Sequence, residues 1–334
     1  MMKRWLVALP LAVGLGAGAA FAQTKEVTIA HQDMLVPYRV LIAQGAIEKA
    51  TGYKINWKMF GGGGDVIKAM ASGEVAIGEV GSSPATAAAA QGLDVQVVWL
   101  LSDIGNAEQL VARNGSNITK LSDLKGKKIA TPFVSTAHYQ LLAALQDAKV
   151  NPKDVQILNM RPPEIAAAWE RGDIDATFIW DPVLTKIKAN GKVIISSGDI
   201  AKKGKPTFDA VMVNKAWADK NKDFVTKFVA EIAKIDARYK AEKAKWTKDS
   251  EEAKAIAKVA GAKPEDVPAI LASYNFVSAK EQASKTWLGG GKDSGVVKAM
   301  SDTAVFLKEQ GRITAVPKDF TKFVNVEYVA AAAK

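Results

Sequence analysis

Cysteine is absent from all 334 residues, so the chain has no disulfide, no thiolate nucleophile and no cysteine-ligated metal. Histidine is nearly absent. His31 and His138 are the only two, which argues against a histidine metal cluster or a histidine-rich catalytic centre. Beyond residue 22 no apolar run reaches the roughly 20 residues that span a bilayer. The formal charge is +10, yet no block of five or six like charges occurs and arginine is scarce. That pattern argues against nucleic acid as a partner. The lysines recur at helix-like spacing among Glu and Asp, as on solvated helix faces. A phosphate loop is missing too. The run Gly289-Gly290-Gly291-Lys292-Asp293 has Thr286 where the first glycine belongs and Asp293 where Ser or Thr belongs. No cofactor is implied by any motif.

What is present begins with a targeting segment. Lys3 and Arg4 precede an apolar run from Trp5 to Ala17, and Ala20-Phe21-Ala22 forms a small-x-small cleavage signature. Residues 1–22 therefore read as a signal peptide, removed at maturity. The two basic residues leave with it, so +10 becomes +8. The mature product is expected to be a soluble, monomeric periplasmic protein.

From Val27 the chain alternates short β-rich runs with apolar helical patterns. Strands are expected at 54–60, 75–80 and 95–101, with helices at 37–50, 65–71 and 84–91 between them. The rhythm restarts after about residue 113, with strands at 128–131, 155–160, 176–180 and 192–197 and helices at 136–149, 163–171 and 182–189. Such alternation means βαβ units and mostly parallel pairing. A last strand at 208–214 precedes a largely helical remainder, which fits packing back onto the first half. The fold class is α/β with two lobes, each a mixed β-sheet flanked by helices, joined by two hinge crossings near Leu110-Val111-Ala112 and Ala210-Val211-Met212. Lobe 1 is then discontinuous, 23–110 and 211–334, and lobe 2 is 111–210. Pockets prefer such domain interfaces.

Two motifs stand at equivalent places in the two halves. Gly81-Ser82-Ser83-Pro84 follows a strand and opens a helix, with a serine to cap it and Pro84 in its first turn. Pro132-Phe133-Val134-Ser135-Thr136 repeats the arrangement. Each alone is explained by ordinary N-capping. Two facing one cleft would present free N–H groups and hydroxyls to an anion. Glu108 and Asp209 sit beside the two crossings. They are hinge or surface carboxylates, or they clamp an ammonium group. Trp180 ends a strand and either packs in the core or walls the pocket. The glycines at 61–64 read as a flexible turn, and His138 as a polar helix residue.

With these runs, together with Gly105-Asn106-Ala107-Glu108, Ala167-Ala168-Trp169-Glu170-Arg171-Gly172-Asp173 and Pro206-Thr207-Phe208-Asp209, the sequence resembles the periplasmic taurine-binding proteins of ABC importers. Those lie within a broader nitrate, sulfonate and thiamine-precursor binding group. The resemblance covers the chain from Val27 to about residue 325. It implies a type II periplasmic binding protein whose lobes close on a taurine-like zwitterion and whose closed form docks on an ABC permease. It implies further that Ser82, Ser83, Ser135 and Thr136 hold the sulfonate, that Glu108 and Asp209 hold the amine, and that Gln32, Tyr139 and Trp180 line the cleft. An alkanesulfonate or another small amine is the alternative ligand. Enzymes on the same fold use a cysteine nucleophile or a lysine-linked cofactor with clustered histidines, and the composition argues against both. The chain departs from the pattern at Met34-Leu35-Val36, at glycines 61–64, at Glu79 and at Asp181. The last two place extra carboxylates beside the expected anion seat.

Overall fold

The computed structural model describes residues 25–334; the expected signal peptide lies outside the described residues. Ten strands form two five-stranded sheets. The first contains β1 (Glu26–His31), β2 (Lys54–Met59), β3 (Ile77–Gly81), β4 (Val95–Asp103) and β10 (Phe208–Asn214), in the order β2-β1-β3-β10-β4. The second contains β5 (Gln109–Arg113), β6 (Lys128–Thr131), β7 (Gln156–Asn159), β8 (Ala176–Ile179) and β9 (Gly191–Ser196), in the order β7-β6-β8-β5-β9. The two follow one plan. Three parallel strands stand on one side, and the fourth position is filled by an antiparallel strand arriving from the other sheet: β10 in the first, β5 in the second. The repeated rhythm of the sequence is therefore a repeated sheet.

The chain passes between the sheets over residues 104–108 and 197–207, a few positions before each expected crossing. Leu110–Ala112 is paired within β5 and Ala210–Met212 within β10.

The helices that position the cleft come early in each half: α1 (Tyr38–Gln44), α2 (Ala46–Thr51), α3 (Gly63–Ala71) and α4 (Ser82–Ala90) in the first, α5 (Thr136–Asp147), α6 (Pro162–Arg171) and α7 (Val183–Lys188) in the second. The expected helix 37–50 is two helices. Gly45 takes φ +60°, closes α1 through its N–H on Ile42 and Leu41, and restarts the chain as α2. The glycine run is more than a flexible turn, because α3 starts within it. A Cβ on Gly63 would lie 2.4 Å from Pro84 Cγ, so glycine lets the starts of α3 and α4 touch. The helical remainder packs on α1, α2 and α4. Two bridges, Val97 with Val324 and Asp103 with Asn275, tie it to β4. Among the described residues no helix is long and apolar enough to cross a membrane.

Candidate functional site

β3 is buried along its whole length, and the chain turns from it directly into α4. Gly81 occupies the N-cap position and no side chain caps the helix, so the first-turn N–H groups are left without an intrahelical partner. The second lobe answers with α5. There Ser135 is the N-cap: its Oγ accepts from His138 N at 3.0 Å and its hydroxyl donates to Pro132 O at 2.6 Å. The N–H groups of Thr136 and Ala137 remain. The two helix starts nearly touch. A Cβ on Gly81 would stand 2.6 Å from Thr136 Cγ2 and 3.5 Å from Asp209 Oδ1.

Between these helix starts lies a narrow cavity lined by residues of both lobes. Its walls stand so close that the centre admits about one water molecule, so a larger guest requires the lobes to part. Six of the nine expected site residues line it: Gln32, Glu108, Ser135, Thr136, Trp180 and Asp209. Three do not. Tyr139 is one turn too deep in α5 and packs edge-on to Phe306, with ring centroids 5.1 Å apart. Ser82 Oγ accepts from Phe208 N at 3.4 Å, behind the cavity, and Ser83 lines a separate cavity with His138 and Arg312. Met34, Gly63, Gly81, Pro84 and Tyr274 complete the wall. Of these Tyr274 carried no signal in the sequence, since it lies in the helical remainder far from both motifs.

Glu108 and Asp209 are both buried, and no lysine or arginine lines the cavity. Thr136 Oγ1 donates to Glu108 Oε1 at 2.5 Å, Glu108 Oε2 has no partner, and Ser102 Oγ donates to Asp209 Oδ2 at 3.1 Å. Burial pushes the Glu108 carboxyl up to about 8, against the pull of the Thr136 bond. Asp209 is raised well above the ordinary carboxylate range, by burial first and then by the charges of Glu108 and Glu79. Burial likewise lifts the Tyr274 phenol, with Asp209 adding to it. It is therefore a neutral hydroxyl at the cavity wall.

The two extra carboxylates do not enter the wall. Glu79 is 1% exposed and pairs with Arg39, itself fully buried, at 2.6 Å. Asp181 accepts from Thr185 N at 2.8 Å, serving the first turn of α7. His138 stacks on Phe133 with ring centroids 4.4 Å apart. Burial, then Arg312, depresses its pKa to about 3, so it stays neutral.

A cavity that offers neutral donors at two helix starts and unpaired carboxylates beside them suits a guest with both signs of charge. The family model described as NMT1/THI5-like matches residues 49–235. The taurine-binding periplasmic protein of Escherichia coli (strain K12) is 37% identical over 308 residues, 92% of this chain and 94% of that one. Among solved structures, the alkanesulfonate-binding protein SsuA from Xanthomonas axonopodis pv. citri bound to MOPS superposes with a TM-score of 0.71. It is 22% identical and covers 93% of this chain and 98% of its own. The desulfurization enzyme DSZB gives 0.62 at 11% identity, covering 92% and 98%. At such identities these two likenesses are of fold alone. The family match and the Escherichia coli relative settle the kinship: the chain belongs to the NMT1/THI5-like family.

Proposed function

We propose that this protein is the periplasmic solute-binding component of an ABC importer. It captures taurine or a related aminosulfonate between its lobes and passes it, chemically unchanged, to a membrane permease. The observation that carries the reading is the pair of buried carboxylates, Glu108 and Asp209, in a cavity with no lysine or arginine. Burial holds both carboxyls toward their neutral form, and a ligand ammonium supplies the charge against which they can ionise. The sulfonate then takes the free N–H groups of the α4 and α5 starts, where the helix dipoles favour negative charge; the hydroxyls of Ser135 and Thr136 are already donated to Pro132 O and Glu108 Oε1. Gln32, Met34, Trp180 and Tyr274 close around the short carbon chain.

A plain alkanesulfonate brings a negative charge and no cation. It leaves both carboxyls neutral and gains no ion pair from them, which makes the zwitterion the better guest. Catalysis has little to work with. Neither histidine lines the cavity, and the chain has no cysteine. The Escherichia coli relative, named for taurine binding, supports the same reading.

Calorimetric titration of the ligand-stripped mature protein at pH 8 tests it, with taurine, ethanesulfonate and ethylamine run in parallel. Taurine is expected to bind about 100-fold more tightly than either half of itself, the worth of one to two charge-assisted hydrogen bonds. Ethanesulfonate binding as tightly as taurine would sink the ammonium clamp.

A further inference from the structure

The segment after β1 carries two residues of the cavity wall, Gln32 and Met34, with Asp33 between them. It is fixed from behind. Gln32 N donates to Glu79 Oε1 at 3.3 Å and Gln32 Nε2 to Glu79 O at 3.1 Å. Arg39 donates through Nη2 to Gln32 O and through Nε to Met34 O, both at 3.0 Å, while its ion pair with Glu79 ties the two holds together. Asp33 is thereby presented to the opposite lobe, where Trp180, at the end of β8, donates its indole N–H to Asp33 Oδ1 at 2.8 Å. Trp180 is 4% exposed and forms part of the cavity wall.

The lobes also meet through Arg161 Nη2 and Asp65 Oδ2 at 2.9 Å. Arg161 is 64% exposed there, so solvent screens the pair. The Asp33–Trp180 bond is sheltered, and it ties one wall residue of the second lobe to a segment carrying two of the first. We infer that Asp33 is a positioning residue that latches the lobes closed through Trp180, and that the buried Arg39–Glu79 pair holds it in place to do so. The latch rests on the binding-protein reading for its consequence, retention of the ligand, and on geometry alone for the contact.

Because the chain has no cysteine, a pair of nitroxide labels can be placed on exposed sites of facing lobes, Lys68→Cys in α3 and Glu170→Cys in α6. Pulsed dipolar distance distributions on the ligand-free protein then report the closed population without any ligand. Asp33→Ala is expected to move that population toward longer distances, as is Trp180→Phe, which keeps an aromatic wall but loses the donor. Asp33→Asn retains an acceptor oxygen and should restore the wild-type distribution. With taurine, Asp33→Ala and Trp180→Phe should each raise the dissociation rate about tenfold, the worth of one hydrogen bond to a charged group. The double variant should lose no more than either single one. A residue that merely stabilised its own lobe would leave the distances unmoved and the two effects additive, and either result overturns the latch. Should the wild type fail to bind taurine, the proposed ligand falls, and the distance distributions alone decide the latch.

Discussion

Glu79 and the pair Glu108 and Asp209 are carboxylates buried in one region of the molecule, and they are provided for in opposite ways. Glu79 meets Arg39 at 2.6 Å and accepts two hydrogen bonds from Gln32, one at its carboxylate and one at its backbone oxygen. Its charge is cancelled within the fold, although its Oε2 has no further partner. Glu108 and Asp209 receive only hydroxyl groups, from Thr136 and Ser102, and burial raises the pKa of both. A charge balanced inside the chain shapes the wall. A carboxyl that burial holds toward its neutral form at the wall ionises when a cation arrives from outside. The extra carboxylate that the sequence places beside the anion seat thus does not repel the ligand, because the chain supplies its own counter-ion.

The contrast is broken most severely at Arg39. Arg39→Leu leaves Glu79 buried and alone, and equilibrium urea unfolding should show a loss of about 3–5 kcal/mol. Loss of the Gln32 and Met34 anchors should weaken taurine binding as well. The next effect is the pH dependence of the unpaired group. In the unfolded chain Glu108 ionises near 4.5, and in the folded protein near 8. Between those values the native state keeps a proton that the unfolded state has released. The stability this contributes is fully present below pH 4.5 and is lost as pH rises through 8. Unfolding of wild type and Glu108→Gln compared from pH 4 to 9 should therefore show the wild type falling behind the variant by a few kcal/mol on the alkaline side. The smallest effect sharpens the geometry of closure. Gly81→Ala puts a methyl against Thr136 Cγ2, and it should weaken ligand binding by about 1–3 kcal/mol in calorimetry.

Much of this was legible in the sequence because it rests on local rules. The β-strand and helix alternation and the helix starts after β3 and β6 follow from spacing and capping, whereas Glu108 and Asp209 stood out only by their place beside the crossings and by the family resemblance. Tyr139 does not line the cavity in this structure. A match of motif positions says nothing of depth along a helix, and α5 presents its N–H groups and first residues to the cavity while the next turn faces Phe306. Ser82 and Ser83 contribute their place at the start of α4 rather than their hydroxyls, which lie elsewhere. Arg39 does leave a trace in the sequence: one arginine in the apolar run Tyr38-Arg39-Val40-Leu41, and one glutamate in the buried strand Ile77-Gly78-Glu79-Val80, are opposite charges at two core positions. Asp33 with Trp180, and Tyr274 at the wall, left none. They are brought together by the docking of lobes across long stretches of chain, and no periodicity encodes that.

The central claim is that Glu108 and Asp209 are reserved for a cation brought by the ligand. Its most direct test is the thermal shift produced by saturating taurine at pH 8, on wild type and on the double variant Glu108→Gln, Asp209→Asn. The wild type should gain several degrees. The variant should gain none, while melting without ligand at or above the wild-type temperature, because burial already holds the two carboxyls toward their neutral form and the amides replace them with neutral groups of the same shape. A variant that keeps the taurine shift, or that melts well below wild type without ligand, would contradict the claim and return both carboxylates to a structural role.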